Sequence, residues 1–279
     1  MHRSGTSLVT KSLHDLGITM GWRRERNEEA WLFLGLNQWL LAQAGGSWEC
    51  PEAIGNVLDC PEVRRTATEY LRLILGSPHA ISFLGPLGWL RWGSVLRMGR
   101  PWGWKDPRTT FTLPLWLDLF PEAKVIHVCR HGVDVAQSLK KRHEGGYARL
   151  AHRFALSKPL YWLWKRQTPL VPSGRCSTLE GGFTLWEQYT AEGRRHVKAL
   201  GNRALELKYE EFLDQPQQHL ERLLEFCGTA ATAEGLDRAI AGIRRERAYA
   251  HKASAELKAF AQQKAAQLAA FGYGAETPV

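Results

Sequence analysis

Apolar residues recur at helical spacing along most of the chain. Val9, Leu13 and Leu16 fall at i, i+4 and i+7 with Leu8 beside them, which predicts an amphipathic helix opened by a short polar turn and closed at Gly17. Trp31, Leu32, Leu34, Leu36, Trp39, Leu40 and Leu41 predict a strongly apolar helix to about Ala44, ended by Gly45-Gly46. Pro61 suits the first position of another helix, which Gly76 stops. Thr109–Leu119, Phe183–Leu200 and Gln217–Cys227 read as helices, another begins near Val133, and Ala230–Phe271 reads as a helical tail rich in Ala, Gln, Lys and Arg. Lys124–Cys129 is the clearest strand, β-branched and mostly apolar as a buried parallel strand should be, and Ala204–Leu207 is a shorter one. Residues 47–60 read as irregular. The Gly-, Pro- and Trp-rich stretch Ser77–Gly103 reads as loops with at most one short strand near Ala80–Leu84.

Strands followed by helices place the chain in the α/β class, and 279 residues suffice for a substantial core. The expected organisation is a single domain over 1–279. A lid-like helical insertion at 143–181 carries Gly145-Gly146, Tyr161-Trp162-Leu163-Trp164, Pro169 and Pro172, and a helical C-terminal segment covers 230–271. The formal charge of +9 comes from scattered residues. The runs Arg23-Arg24-Glu25-Arg26 and Arg244-Arg245-Glu246-Arg247 contain acids and read as solvated helix faces, so a nucleic-acid partner is not expected. Cys50, Cys60, Cys129, Cys176 and Cys227 form no C-x-x-C pair and the ten histidines no H-x-x-x-H pair, so no metal site is expected. No apolar run approaches the roughly 18 residues of a membrane span. The expectation is a cytoplasmic protein with reduced thiols, and no pattern bears on its oligomeric state.

Two polar turns carry candidate chemistry. Met1-His2-Arg3-Ser4-Gly5-Thr6-Ser7 runs straight into the first helix. A helix N-terminus offers unpaired N–H groups and the positive end of a dipole, an anion site to which Thr6 and Ser7 add hydroxyls and Arg3 a charge. The phosphate loop of nucleoside triphosphatases reads G-x-x-x-x-G-K followed by Ser or Thr. Here Thr6 follows the glycine and the cation lies at Arg3, which argues against a triphosphatase or ordinary kinase. A capped surface helix with an incidental arginine is the alternative. The second turn, Arg130-His131-Gly132, sits at the carboxyl end of the 124–129 strand, the edge where open α/β sheets bind ligands. On the following helix Asp134, Ser138 and Arg142 share a face, so Arg130 and Ser138 could converge on one anion, or Arg130 could pair with a carboxylate.

Three separated stretches then carry a resemblance. His2-Arg3-Ser4-Gly5-Thr6-Ser7 resembles the 5′-phosphosulfate loop of sulfotransferases that use 3′-phosphoadenosine 5′-phosphosulfate (PAPS). Arg130 with Ser138 resembles their 3′-phosphate site. Leu205-Glu206-Leu207-Lys208-Tyr209-Glu210-Glu211-Phe212, with Pro216 and Leu223–Gly228, resembles their late strand–Tyr-Glu–helix stretch. Trp104-Lys105-Asp106-Pro107-Arg108 is similar to the K-D-P-R knot of the bacterial-type branch and the K-D-P of tyrosylprotein sulfotransferases. Asn27-Glu28-Glu29, ahead of a helix bearing Asn37, resembles a glutamate-containing segment of that branch. The likeness covers about 1–45, 102–142 and 204–228. The late R-K-G segment of the cytosolic branch has no counterpart.

The resemblance implies a P-loop-like three-layer α/β/α fold with a central parallel sheet, and transfer of a sulfuryl group from PAPS to a hydroxyl or amine of an unidentified glycan, lipid or small metabolite. Arg3, Ser4, Gly5, Thr6, Ser7, Arg130, Ser138 and Tyr209 would bind the donor. Arg3 and Lys105 would stabilise charge in transfer, and Glu29 would take the acceptor's proton, with Glu25, Glu28, His127 and His131 as alternatives. No metal is implied. A small-molecule kinase with an aberrant loop and a non-catalytic nucleotide-binding relative are the rival readings. In the family a β-branched strand precedes the phosphate loop. None precedes His2 here, so an apolar strand and a glycine are expected upstream of Met1, with a truncation or a late start assignment as the cause.

Overall fold

The computed structural model describes residues 1–159, 173–230, 232–243 and 249–274. They divide into two compact units, the first comprising Met1, Arg3–Cys129 and Ala191–Ala248, the second His2, Arg130–Thr190 and Tyr249–Val279. In chain order the elements are α1 (Thr6–Asp15), α2 (Trp31–Gln43), α3 (Gly55–Leu58), α4 (Pro61–Leu75), α5 (Ile81–Trp92), α6 (Thr109–Leu119), β1 (Val125–Cys129), α7 (Gly132–Ser157), α8 (Leu179–Leu200), β2 (Ala204–Lys208), α9 (Tyr209–Asp214), α10 (Pro216–Cys227), α11 (Ala233–Ala241), α12 (Ala255–Gln263) and α13 (Ala265–Ala270). The protein is thus a mostly helical α/β molecule.

β1 and β2 pair in parallel, in register from Val125 opposite Ala204 to Cys129 opposite Lys208. Among the described residues this two-stranded sheet is the only one, smaller than the central sheet expected, and helices carry most of the packing. In the first unit the apolar stripe of α1 (Val9, Leu13) and Leu16 beyond it pack with Val128 of β1, Leu205 and Leu207 of β2, Phe212 of α9 and Leu220 of α10. That burial locks α1, and the turn before it, against the sheet. A cavity of about 670 Å³ lies alongside, lined by Met1, Val9, Leu13, Trp104, Ile126 and Val128 among others.

Ala80–Leu84 is not a strand. Ala80 ends a short 3₁₀ turn, and Ile81–Leu84 open α5, which runs on to Trp92 and bends at Gly85, where φ is +73°, with Pro86 next to it. A proline at the head of the second half lacks only an N–H that a helix start leaves unpaired, so the Gly-Pro pair bends the helix instead of ending it. Residues 47–60, expected to be irregular, hold the 3₁₀ turn Pro51–Ile54 and α3. Pro114 sits inside α6 without breaking it.

In the second unit α7 is 26 residues long and passes straight through Gly145-Gly146, so residues 143–157 belong to this helix. The Tyr161–Trp164 cluster, Pro169 and Pro172 lie outside the described residues. α7 and α8 approach closely at their N-terminal ends. A Cβ on Gly132 would fall 2.6 Å from the Trp186 ring, and one on Gly182 3.1 Å from Ala136. Among the described residues the expected helical tail holds α11, α12 and α13, with the 3₁₀ turn Ala250–Ala253 ahead of α12. Among the described residues no single helix is long and apolar enough to cross a membrane. Only α4 with Pro78–Trp92 reaches that composition as a pair, bent by 65°.

Candidate functional site

The turn into α1 has the shape its residues require. Arg3 is exposed with φ of +67°, and Gly5 is the residue before the helix at φ +84°, the left-handed region that glycine enters without penalty. Space excludes any larger residue there as well. A Cβ on Gly5 would lie 2.0 Å from the Tyr209 ring. Tyr209 begins α9 directly after β2 and is buried. Gly5 O accepts from Leu8 N–H at 3.0 Å and Val9 N–H at 3.4 Å, so the N–H groups of Thr6 and Ser7 head the helix with no acidic residue in its first turn. The Ser4 hydroxyl is buried with no hydrogen-bond partner among the described residues. An anion above the turn would meet the main-chain N–H groups of Thr6 and Ser7, the Thr6 hydroxyl and Arg3, while the Ser7 hydroxyl gives its proton to Asn27 O.

A second set of groups joins this turn through one carbonyl. Ser7 Oγ donates to Asn27 O at 2.7 Å, and Lys105 Nζ donates to the same oxygen at 2.6 Å. Lys105 Nζ also donates to Glu29 Oε1 at 3.0 Å. Glu29 is buried and Lys105 largely so, and Arg108 stands 3.9 Å from Glu29 Oε2. Burial pushes the Lys105 ammonium below its ordinary pKa, and Glu29 opposes the shift.

The knot around Lys105 is held from behind. Asp106 pairs with Arg108 at 2.9 Å and accepts from Asn37 Nδ2 at 3.0 Å. Asn37, fully buried in α2, accepts through Oδ1 from Thr112 Oγ1 at 2.7 Å and Trp116 Nε1 at 2.8 Å. Trp104 stacks on Phe33 with ring centroids 4.2 Å apart, and its Nε1 donates to Thr109 Oγ1. Every polar partner of Asn37 comes from the knot or α6, so the lysine stands on a rigid base.

Glu29 owes its position to the 21–31 loop. Glu25 N–H donates to Glu29 O at 2.8 Å and Trp31 N–H to Arg23 O at 3.1 Å, a hairpin-like turn with Glu28 at φ +64°. This fold-back buries Glu29, leaves Glu25 exposed and lets Glu28 pair with Arg24 at 2.7 Å. Of the acids weighed for proton transfer, Glu29 is the one that meets Lys105. His127 is buried on β1 beneath Gly193, 3.3 Å from Glu206, which Arg194 also holds through two bonds of 3.1 and 2.9 Å. Cys129 lies 3.5 Å from His127 Nδ1, and burial drives its thiol far above the ordinary range, so it stays protonated. This cluster is a packed polar pair beneath α8 with an inert thiol.

In the second unit Arg130 follows β1 directly, and Ser138 lies half-buried on α7. Arg130 Nη2 lies 3.4 Å from Asp134 Oδ2. Asp134 also accepts from the main-chain N–H groups of Ala250 at 3.1 Å and His251 at 2.8 Å, and its Oδ1 is 2.9 Å from His251 Nδ1. The His131 ring stacks on that of His251, centroids 3.9 Å apart. Burial lowers His131 to about 3, helped by the charges of His251, Arg130 and Lys252 and opposed by Asp134. Sequence reasoning found no chemistry in the tail. His251 stands alone among Ala and Lys residues, and nothing local shows that it meets an aspartate 117 positions away.

The fold and the first unit's geometry together describe an α/β protein whose leading helix presents an anion-receptive end next to a buried lysine–glutamate pair. The profile of the sulfotransferase family matches residues 1–233. The chain belongs to that family, and its reaction class is therefore group transfer of the sulfuryl type. A comparison with curated proteins found no match.

Proposed function

We propose that this chain is a PAPS-dependent sulfotransferase acting, without a metal, on a hydroxyl or amine of a glycan, lipid or small metabolite. The observation that carries the reading is the shared Asn27 carbonyl. It ties Ser7 of the anion turn to Lys105, 78 positions from Asn27, and through Lys105 to Glu29. The Tyr209 ring against Gly5 adds support, since it fixes the turn that the main chain would present to a phosphate. The three-layer P-loop-like arrangement belongs to the same proposal.

PAPS supplies an activated sulfuryl group on a phosphate leaving group. In this reading the Thr6 hydroxyl, the N–H groups of Thr6 and Ser7, and Arg3 take up the 5′-phosphate as the bond from sulfur to its oxygen breaks, with Ser7 Oγ holding Asn27 in place. Lys105 neutralises charge on the transferring group while the acceptor oxygen or nitrogen bonds to sulfur. Glu29 accepts the proton the acceptor loses. Arg130 with Ser138 reads the 3′-phosphate, as the family likeness implies. Pre-aligned donors of this kind act in the transition state without reorganising.

The test is incubation of the purified protein with sulfur-labelled PAPS and an extract of the source cell. The expected result is label on a discrete set of acceptors with release of 3′-phosphoadenosine 5′-phosphate. No binding of either nucleotide, with Mg²⁺-dependent binding of ATP in its place, would overturn the reading.

A further inference from the structure

The assignment of Arg130 to a phosphate leaves Asp134 and the segment 249–252 unexplained. Asp134 is almost fully buried, and both of its oxygens are engaged by groups from a distant part of the chain. Oδ1 takes the main-chain N–H and the ring Nδ1 of His251, and Oδ2 takes the main-chain N–H of Ala250. Arg130 reaches that second oxygen at 3.4 Å, a long contact for a charged pair whose good bonds lie near 2.8 Å. The segment itself is specially shaped. Tyr249 adopts φ +50°, a left-handed conformation rare for an aromatic residue, and Lys252 Nζ sits 4.6 Å from its ring. Such an outlier persists only where its surroundings over-determine it. Here the Asp134 bonds and the stack of His131 on His251 do so.

We infer that His251 is a positioning residue for Arg130, acting through Asp134, and that the 249–252 segment thereby sets recognition of the donor's 3′-phosphate. A carboxylate with four contacts cannot turn. Held by the segment, it steadies Arg130 from one side and stays at a distance from it. Released, the same carboxylate can rotate into a bidentate pair with the guanidinium and compete with a bound phosphate. His251 therefore keeps Asp134 from neutralising the arginine it supports. This inference rests on the donor reading of the Arg130 end.

The experiment measures equilibrium binding of 3′-phosphoadenosine 5′-phosphate and of adenosine 5′-phosphate, which lacks the 3′-phosphate, to the full chain and to His251→Ala, His251→Asn and Asp134→Asn. The wild type is expected to prefer the 3′-phosphorylated nucleotide. His251→Ala is expected to lose about tenfold in affinity for it, the scale for removing a supporting partner, with adenosine 5′-phosphate unchanged. His251→Asn, whose amide can still donate to Asp134, should recover most of that loss. A general loss of stability would weaken both nucleotides alike and leave their ratio unmoved. A wild-type ratio in His251→Ala overturns the inference alone, and so does one in Asp134→Asn should the alanine variant fail to fold. No preference in the wild type overturns the 3′-phosphate assignment itself, and the inference with it.

Discussion

At the scale of single residues, Lys105 and Glu29 are bound to each other and must be tested together. Removing the lysine leaves a buried carboxylate without its nearest cation, a loss of about 3–5 kcal/mol for a buried pair broken on one side. Lys105→Met should therefore lose both stability and turnover. Lys105→Met with Glu29→Gln removes both charges and should recover most of the thermal midpoint, while kcat stays at least ~10²-fold down. Recovery of activity along with stability would make the pair structural. Glu29→Gln alone should abolish turnover with 3′-phosphoadenosine 5′-phosphate still bound, measured by titration calorimetry; near-normal kcat would move the proton to Glu25, Glu28 or a histidine. Arg130→Ala should weaken that nucleotide by about 2 kcal/mol, roughly thirtyfold, with little effect on adenosine 5′-phosphosulfate. An equal loss for both ligands would show that Arg130 does not read the 3′-phosphate.

At the scale of elements, the turn before α1 is the most constrained point in the first unit. Gly5→Ala must hold an alanine at positive φ and drive its methyl into a buried tyrosine ring. A cost of about 3 kcal/mol or more follows from conformation and overpacking together, and chemical denaturation would measure it. α1, α4 and α10 were legible in the sequence because each has an apolar stripe and a glycine or proline at or near an end, and α2 because it is apolar nearly all round up to Gly45. Both strands were legible from local pattern too, β1 as a β-branched, mostly apolar run. Legibility failed where punctuation misled. Gly85-Pro86 reads as part of a loop and is a bend in a helix, and Gly145-Gly146, read as part of a helical insertion, lies within α7, which absorbs two glycines at about 1 kcal/mol each. In the candidate site, Gly5, Lys105, Glu29 and Tyr209 announce themselves through local motifs. The Asn27 carbonyl and His251 do not, because a main-chain oxygen has no sequence signature and a contact across 117 positions has no period.

At the scale of the whole molecule, ionisable groups taken partly or wholly out of water bias stability against acid. Glu206 and Glu192 fall to about 2, since bonds from His127 and Arg194 in one case and His196 and Arg195 in the other outweigh the opposing effect of burial. Their contribution is complete above the ordinary 4.5 and is lost as pH falls towards 2. His131 acts at higher pH. It stays neutral in the fold down to about 3, while the unfolded chain takes up a proton below 6.5, so stability declines with falling pH between those values. His131→Gln should reduce the fall of the thermal midpoint between pH 6.5 and 4.5, to which His127 and His219, also lowered by burial, contribute as well; an unchanged slope would assign the decline elsewhere. The grip of Asp134 on the 249–252 segment also imposes an order in time. It closes a span of 117 residues, and the β1–β2 pairing brings Val125 to Ala204. Contacts that distant form late, because the entropy of closing the span is lost before any bond compensates it. On the ribosome the turn around Gly5, Lys105 and Glu29 is complete in sequence long before Tyr249 is made. The lysine–glutamate pair, itself closed across 76 positions, needs nothing beyond Lys105, whereas the contacts of Asp134 wait for residues 249–252. Newly made protein would pass through a stage in which the residues of the Lys105–Glu29 pair are present and those that hold Asp134 are still being synthesised.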